Sequence, residues 1–174
     1  MKLIYTTLCL VILISNYLSA DDKIEIAGDI FQIGLPSAAL YMTFLQDDAK
    51  GRIAFWEGLL SSTITTLTLK KALYKQRPDA SNYESFPSGH TAVAFSGASF
   101  IAYRYENKYA IPAYLLATFV GYSRVYAKKH YWEDVIVGAG IGILSTLFYT
   151  QPLKTSARVF IDPIQKKIYV GLIL

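Results

Sequence analysis

Three polar islands break an otherwise apolar chain: KKALYKQRP at residues 70–78, PSGH at 87–90 and SRVYAKKHYWED at 123–134. They hold both histidines of the sequence, His90 and His130, together with Lys70, Arg77, Arg124 and Asp134. Apolar stretches of helical length surround them, at residues 30–46, 53–69, 91–103, 110–127 and 131–149. The breaks between are polar, and no two-residue alternation is sustained before residue 158, so the periodicity is that of helices. The fold expected is all-α: a compact bundle of about five to six helices, transmembrane, with a short strand-like C-terminal tail.

The spacing within the islands carries chemistry. Asp134 follows His130 by four residues, so on a helix the two side chains share a face and the carboxylate can hold the imidazole Nδ1–H. Nε2 is then free to attack phosphorus while the carboxylate stabilises the charge that develops on the ring. Lys70 and Arg77 lie seven apart, two helical turns, ahead of the helix-stopping Pro78. With Arg124 they make three cations, enough to neutralise the equatorial oxygens of a transferring phosphoryl group without a metal. Ser88 is placed to cap the helix that follows, whose free N–H groups form an anion site, and Gly89 lets backbone approach closely. His90, on the first turn of that helix, is the candidate general acid for the leaving oxygen. Lys71, Lys75, Lys128 and Lys129 read as solvated or headgroup-facing cations that raise the local anion concentration.

This set resembles the type 2 phosphatidic acid phosphatase superfamily, which includes membrane lipid phosphatases, bacterial class A acid phosphatases and vanadium haloperoxidases. Its three motifs stand here as K-x6-RP from Lys70 to Pro78, PSGH from Pro87 to His90 and SR-x5-H-x3-D from Ser123 to Asp134. The resemblance implies that His130 is the nucleophile, Asp134 its partner and His90 the acid. It likewise implies that Lys70, Arg77, Ser88, Gly89 and Arg124 bind the phosphate. Only eight residues separate Pro78 from Pro87, fewer than the superfamily commonly shows, so no long lid loop is expected. The function expected is hydrolysis of a phosphomonoester or pyrophosphate, of a membrane lipid, through a phosphohistidine, with no metal or cofactor. The alternatives are a soluble periplasmic acid phosphatase acting on small phosphomonoesters and a non-catalytic phosphate- or lipid-binding membrane protein. The His130–Asp134 pair speaks against the last, because binding needs cations but no oriented nucleophile.

Composition bounds the rest. At 174 residues the chain is 53% hydrophobic and 17% charged, richer in apolar residues than an ordinary soluble domain. The net charge of +4 is modest, and seven of the seventeen cations fall in or beside the islands, so no nucleic-acid partner is expected. The single Cys9 excludes an intrachain disulfide and a cysteine metal cluster. Residues 1–20 read as a secretory signal peptide or a first transmembrane helix, 21–150 as the helical phosphatase domain and 151–174 as a tail forming two short strands about a turn. Either reading of 1–20 puts residue 21 outside the cytoplasm, and counting crossings then brings all three islands to the periplasmic side of a bacterial-type inner membrane. The oligomeric state is open.

Overall fold

The computed structural model describes residues 20–105, 107–153, 157–162 and 167–172. Five helices form among them: α1 (Ala20–Leu45), α2 (Ala49–Leu73), α3 (Gly89–Arg104), α4 (Asn107–Tyr126) and α5 (Trp132–Tyr149). Strands β1 (Ala157–Asp162) and β2 (Lys167–Leu172) follow as an antiparallel hairpin, with Ala157 opposite Leu172 and Asp162 opposite Lys167. The helical bundle and the strand pair in the tail both match the periodicity of the sequence. The leader expected at residues 1–20 lies, but for Ala20, outside the described residues.

One boundary differs. The apolar stretch begins at Ile30, yet α1 starts at Ala20, so the helix also takes in the acidic segment ahead of Ile30. At the other helix starts local chemistry decides. Asp48 caps α2 by accepting the Gly51 N–H at 2.8 Å, and α2 ends where Tyr74 takes a left-handed φ of 41°.

Helix α3 is central and packs against all four others. Its Ala94 and Ala98 are fully buried, and Phe100 meets Phe55 edge-on at 5.3 Å within a core that includes Leu35, Ala117 and Val120. Helix α5 crosses α3 at Gly138 and Gly142. A Cβ at Gly138 would stand 2.5 Å from the Ser88 carbonyl oxygen, and one at Gly142 2.3 Å from that of Ala92, so glycine is what permits this crossing. That contact aligns the start of α3, which carries PSGH, with the start of α5, which carries Asp134.

The bundle turns large apolar side chains outward on α1, α2, α4 and α5, among them Ile33, Leu60, Ile111 and Phe148. Among the described residues one helix, α5, is long and apolar enough to cross a membrane by length and composition. At the end of the bundle away from the three islands, Arg104 makes a bidentate pair with Asp48, Nε to Oδ2 at 2.8 Å and Nη2 to Oδ1 at 2.6 Å. Tyr105 Oη donates to the same carboxylate at 3.1 Å, and Arg104 Nη1 donates to the Gln151 carbonyl at 2.6 Å. The α1–α2 turn, the end of α3 and the segment after α5 are thereby tied together. The Arg104 hydrogen bonds hold the Asp48 carboxyl below the usual carboxylate range, against the opposing effect of burial.

Candidate active site

His130 is buried in the turn between α4 and α5, and its Nδ1 lies 2.5 Å from the carbonyl oxygen of Ser85. A carbonyl only accepts, so the proton sits on Nδ1 and Nε2 keeps its lone pair. The partner expected from spacing was Asp134, whose Oδ2 is instead 3.8 Å from Nδ1. The reason is local: α5 begins at Trp132, so His130 and Asp134 do not share a helix. Asp134, fully buried, accepts from Ser85 Oγ at 2.5 Å and from the Tyr131 N–H at 2.9 Å through Oδ2, and from Lys75 Nζ at 2.6 Å through Oδ1. Ser85 is therefore the bridge, holding the ring with its carbonyl and the carboxylate with its hydroxyl.

Lys75 also pairs with Glu133 at 2.8 Å and lies 4.5 Å from the centre of the Tyr131 ring. It is part of this network, not the solvated cation its sequence position suggests. Burial opposes its charge, but the hydrogen bonds to Asp134 and Glu133 prevail and raise its pKa above the usual lysine value. Burial is also the main reason that the His130 pKa falls to about 4, with the charges of Lys70 and Arg77 adding to it against the Ser85 hydrogen bond and Asp134. The ring is thus neutral at neutral pH, the state a nucleophile needs.

Beside His130 lies a cavity of about 140 Å³ lined by Glu25, Asp29, Arg77, His90, Arg124, Lys129 and His130. Of the residues singled out by sequence, it brings together Arg77, His90, Arg124 and His130. Arg77 Nε is buried and, among the described residues, has no hydrogen-bond partner, an uncommon state for a guanidinium and one that an anion would relieve. Arg124 is buried, with Nε on Ser123 Oγ at 3.1 Å and Nη2 on the Glu25 carbonyl at 2.6 Å. Lys70, Ser88, Gly89 and Asp134 are not among the residues that line the cavity. Lys70 Nζ donates to the Glu84 carbonyl at 2.5 Å. Ser88 caps α3, its Oγ accepting from Thr91 Oγ1 at 2.9 Å, while its N–H donates to the Asp134 carbonyl at 2.9 Å. Gly89 opens α3 with Lys70 Cε and Thr66 bounding the space over its Cα.

Sequence reasoning missed five contributors: Ser85, Lys75, Glu25, Asp29 and Lys129. Lys129 lines the cavity and pairs with Asp79 at 2.9 Å. For Glu25 and Asp29 a signal existed in their four-residue spacing on one helical face, but the segment lies ahead of the apolar stretch that begins at Ile30 and carries none of the three motifs.

A helical bundle with a buried histidine beside a cavity lined by Arg77, Arg124 and Lys129 defines a class of α-helical proteins with a candidate anion site. The chain belongs to the PAP2 superfamily, whose family model matches residues 52–157. It is 35% identical over 106 residues to the lipid A 1-phosphatase of Porphyromonas gingivalis, covering 55% of this chain and 24% of that protein. It is 28% identical over 119 residues to the lipid A 1-phosphatase of Helicobacter pylori, covering 63% of this chain and 62% of that one. The crystal structure of Aquifex aeolicus LpxE superposes with a TM-score of 0.66 and 25% identity over 82% of this chain and 93% of that one. The chain thus spans less than two thirds of the length of these two curated relatives.

Proposed function

We propose that this protein is a phosphatase that removes phosphate from a membrane lipid by covalent catalysis at His130. Nε2 attacks phosphorus in line, the P–O bond to the leaving group breaks, and His90 gives that oxygen a proton. Water then attacks the phosphohistidine, giving up a proton to His90, and inorganic phosphate leaves with His130 restored. Arg77, Arg124 and Lys129, together with Lys70, neutralise the phosphoryl oxygens, so the reaction calls for no metal. Asp134, screened by Lys75, stabilises the charged ring. The observation that carries this reading is the tie between His130 Nδ1 and the Ser85 carbonyl beside a cavity holding the unpaired Arg77 Nε. A site meant only to bind phosphate has no use for a histidine fixed in one tautomer.

A lipid substrate, rather than a small soluble ester, is favoured by the outward apolar residues: Ile111 is 72% exposed and Phe148 82%. In this reading they meet acyl chains, the helices span the inner membrane, and the cavity opens on the periplasmic face. Because two relatives are named lipid A 1-phosphatases, lipid A is the first lipid to try. The deciding experiment measures phosphate release in detergent micelles from lipid A, phosphatidylglycerol phosphate, phosphatidic acid and undecaprenyl pyrophosphate, beside a soluble chromogenic phosphomonoester. At least one lipid should be turned over far better than the soluble ester. Equal or better turnover of the soluble ester would transfer the assignment to an acid phosphatase, and no turnover of any would remove catalysis.

A further inference from the structure

A carboxylate occupies the cavity that should hold an anion. Asp29 Oδ1 lies 2.8 Å from Arg124 Nη1 and 3.2 Å from His90 Nε2, so one oxygen bridges the guanidinium and the candidate acid. A phosphoryl oxygen between its ligand and its proton donor would make the same pair of contacts. The approach of α1 that allows this is built in: a Cβ on Gly28 would stand 1.9 Å from Ser123 Oγ and 2.7 Å from Arg124 Nη2. Neither Gly28 nor Asp29 belongs to the three islands, and α1 precedes the segment at 52–157 that the family model matches.

We propose that Asp29 is an internal stand-in for phosphate, which holds Arg124 and His90 in place in the empty site and yields to the incoming anion. This rests on the reading of the cavity as a phosphate site. Two features make Asp29 displaceable. Its side chain is 46% exposed while that of Arg124 is 3% exposed, so the carboxylate lies on the solvent side and swings into water at little cost. Arg124 keeps its neutral acceptors when Asp29 leaves, with Nε on Ser123 Oγ and Nη2 on the Glu25 carbonyl, so only Nη1 exchanges one oxygen for another. The exchange lowers net affinity for phosphate, because the incoming anion must break an existing ion pair and meets a repelling charge. A weakened hold on phosphate favours release of the product. Asp29 is thus a positioning residue that sets how tightly the site holds its anion.

The test is calorimetric titration of inorganic phosphate and orthovanadate into the full-length protein in detergent, for the wild type and for Asp29→Asn, Asp29→Ser and Asp29→Glu. Thermal unfolding serves as the control for folding. Both uncharged variants should bind each anion about tenfold or more tightly, as loss of a charge at contact distance implies. Their KM for the lipid substrate and the concentration of phosphate giving half inhibition should fall in step. Asp29→Glu, which keeps the charge, should retain the weak binding of the wild type. Unchanged or weaker anion binding in the Asn and Ser variants, with the wild type still turning over lipid, overturns this inference and leaves the phosphatase assignment standing. A wild type that neither binds phosphate nor releases it from lipid overturns both. Failure of both uncharged variants to fold would make Asp29 a structural residue and overturn it as well.

Discussion

Replacing Asp134 by Asn separates two roles that a carboxylate near a nucleophilic histidine can play. If it oriented the ring directly, as in serine-protease triads, the loss in kcat would approach about 10⁴-fold. The geometry assigns orientation to the Ser85 carbonyl, which the substitution leaves in place, and leaves Asp134 an electrostatic part. At 3.8 Å and an effective dielectric constant of about 20, its attraction for a cationic His130 ring is about 4 kcal/mol. Lys75 Nζ, 2.6 Å from the same carboxylate, cancels much of that field. A remainder of about 2 kcal/mol corresponds to roughly 30-fold in rate. The expected outcome is therefore a 10- to 100-fold fall in kcat, on the order of this estimate, with KM little changed. Rapid-quench measurement of phosphoenzyme formation in a single turnover reports the step directly. A loss as complete as that of His130→Ala would refute the assignment of orientation to Ser85, and an unchanged kcat would refute the electrostatic role.

His130→Ala should abolish turnover and phosphoenzyme formation while the helical circular dichroism is kept; turnover within tenfold of wild type would sink the covalent mechanism. With only two histidines in the chain, NMR of a 13C-labelled imidazole, assigned with a His90→Gln variant, should place the His130 pKa near the value of about 4. Its folded pKa lies below the unfolded value of about 6.5. The unfolded chain therefore takes up the proton first, and the protein should lose stability as pH falls from about 6.5 toward 4. A titration near 6.5 would refute the buried, cation-flanked environment. Asp48→Asn should lower stability by about 3–5 kcal/mol, because it leaves Arg104 buried without its charge partner. Since the Asp48 pKa is held below that of a free carboxylate, its contribution is complete above pH about 4 and is lost as pH falls through the lower folded value. A denaturation midpoint unchanged by the substitution would show the pair to be dispensable.

Four of the residues that line the cavity were legible in the sequence, and those that hold them in place mostly were not. His130, His90, Arg77 and Arg124 are recognisable because the chemistry admits few side chains at those points, and all four line the cavity. The crossing of α3 and α5 rests on Gly138 and Gly142, since only a missing side chain lets α5 reach the carbonyls of α3. The partner of Nδ1 was not legible, because a backbone carbonyl is present at every residue and only tertiary structure selects that of Ser85. The four-residue spacing pointed to Asp134 instead, an inference valid only if one helix carried both residues. Lys75 was misjudged for a related reason: its partners, Glu133 and Asp134, lie 58 and 59 residues away, beyond any local pattern. Asp29 marks the clearest limit. A carboxylate at an anion site contradicts simple charge matching, so no motif search for cations would select it. Its contacts with Arg124 Nη1 and His90 emerge only in the folded chain, and in the proposed reading they are the ones the incoming anion displaces. The groups that perform a reaction are constrained by the substrate and can be read one residue at a time, whereas the groups that set its affinity are constrained by one another and emerge only with the fold.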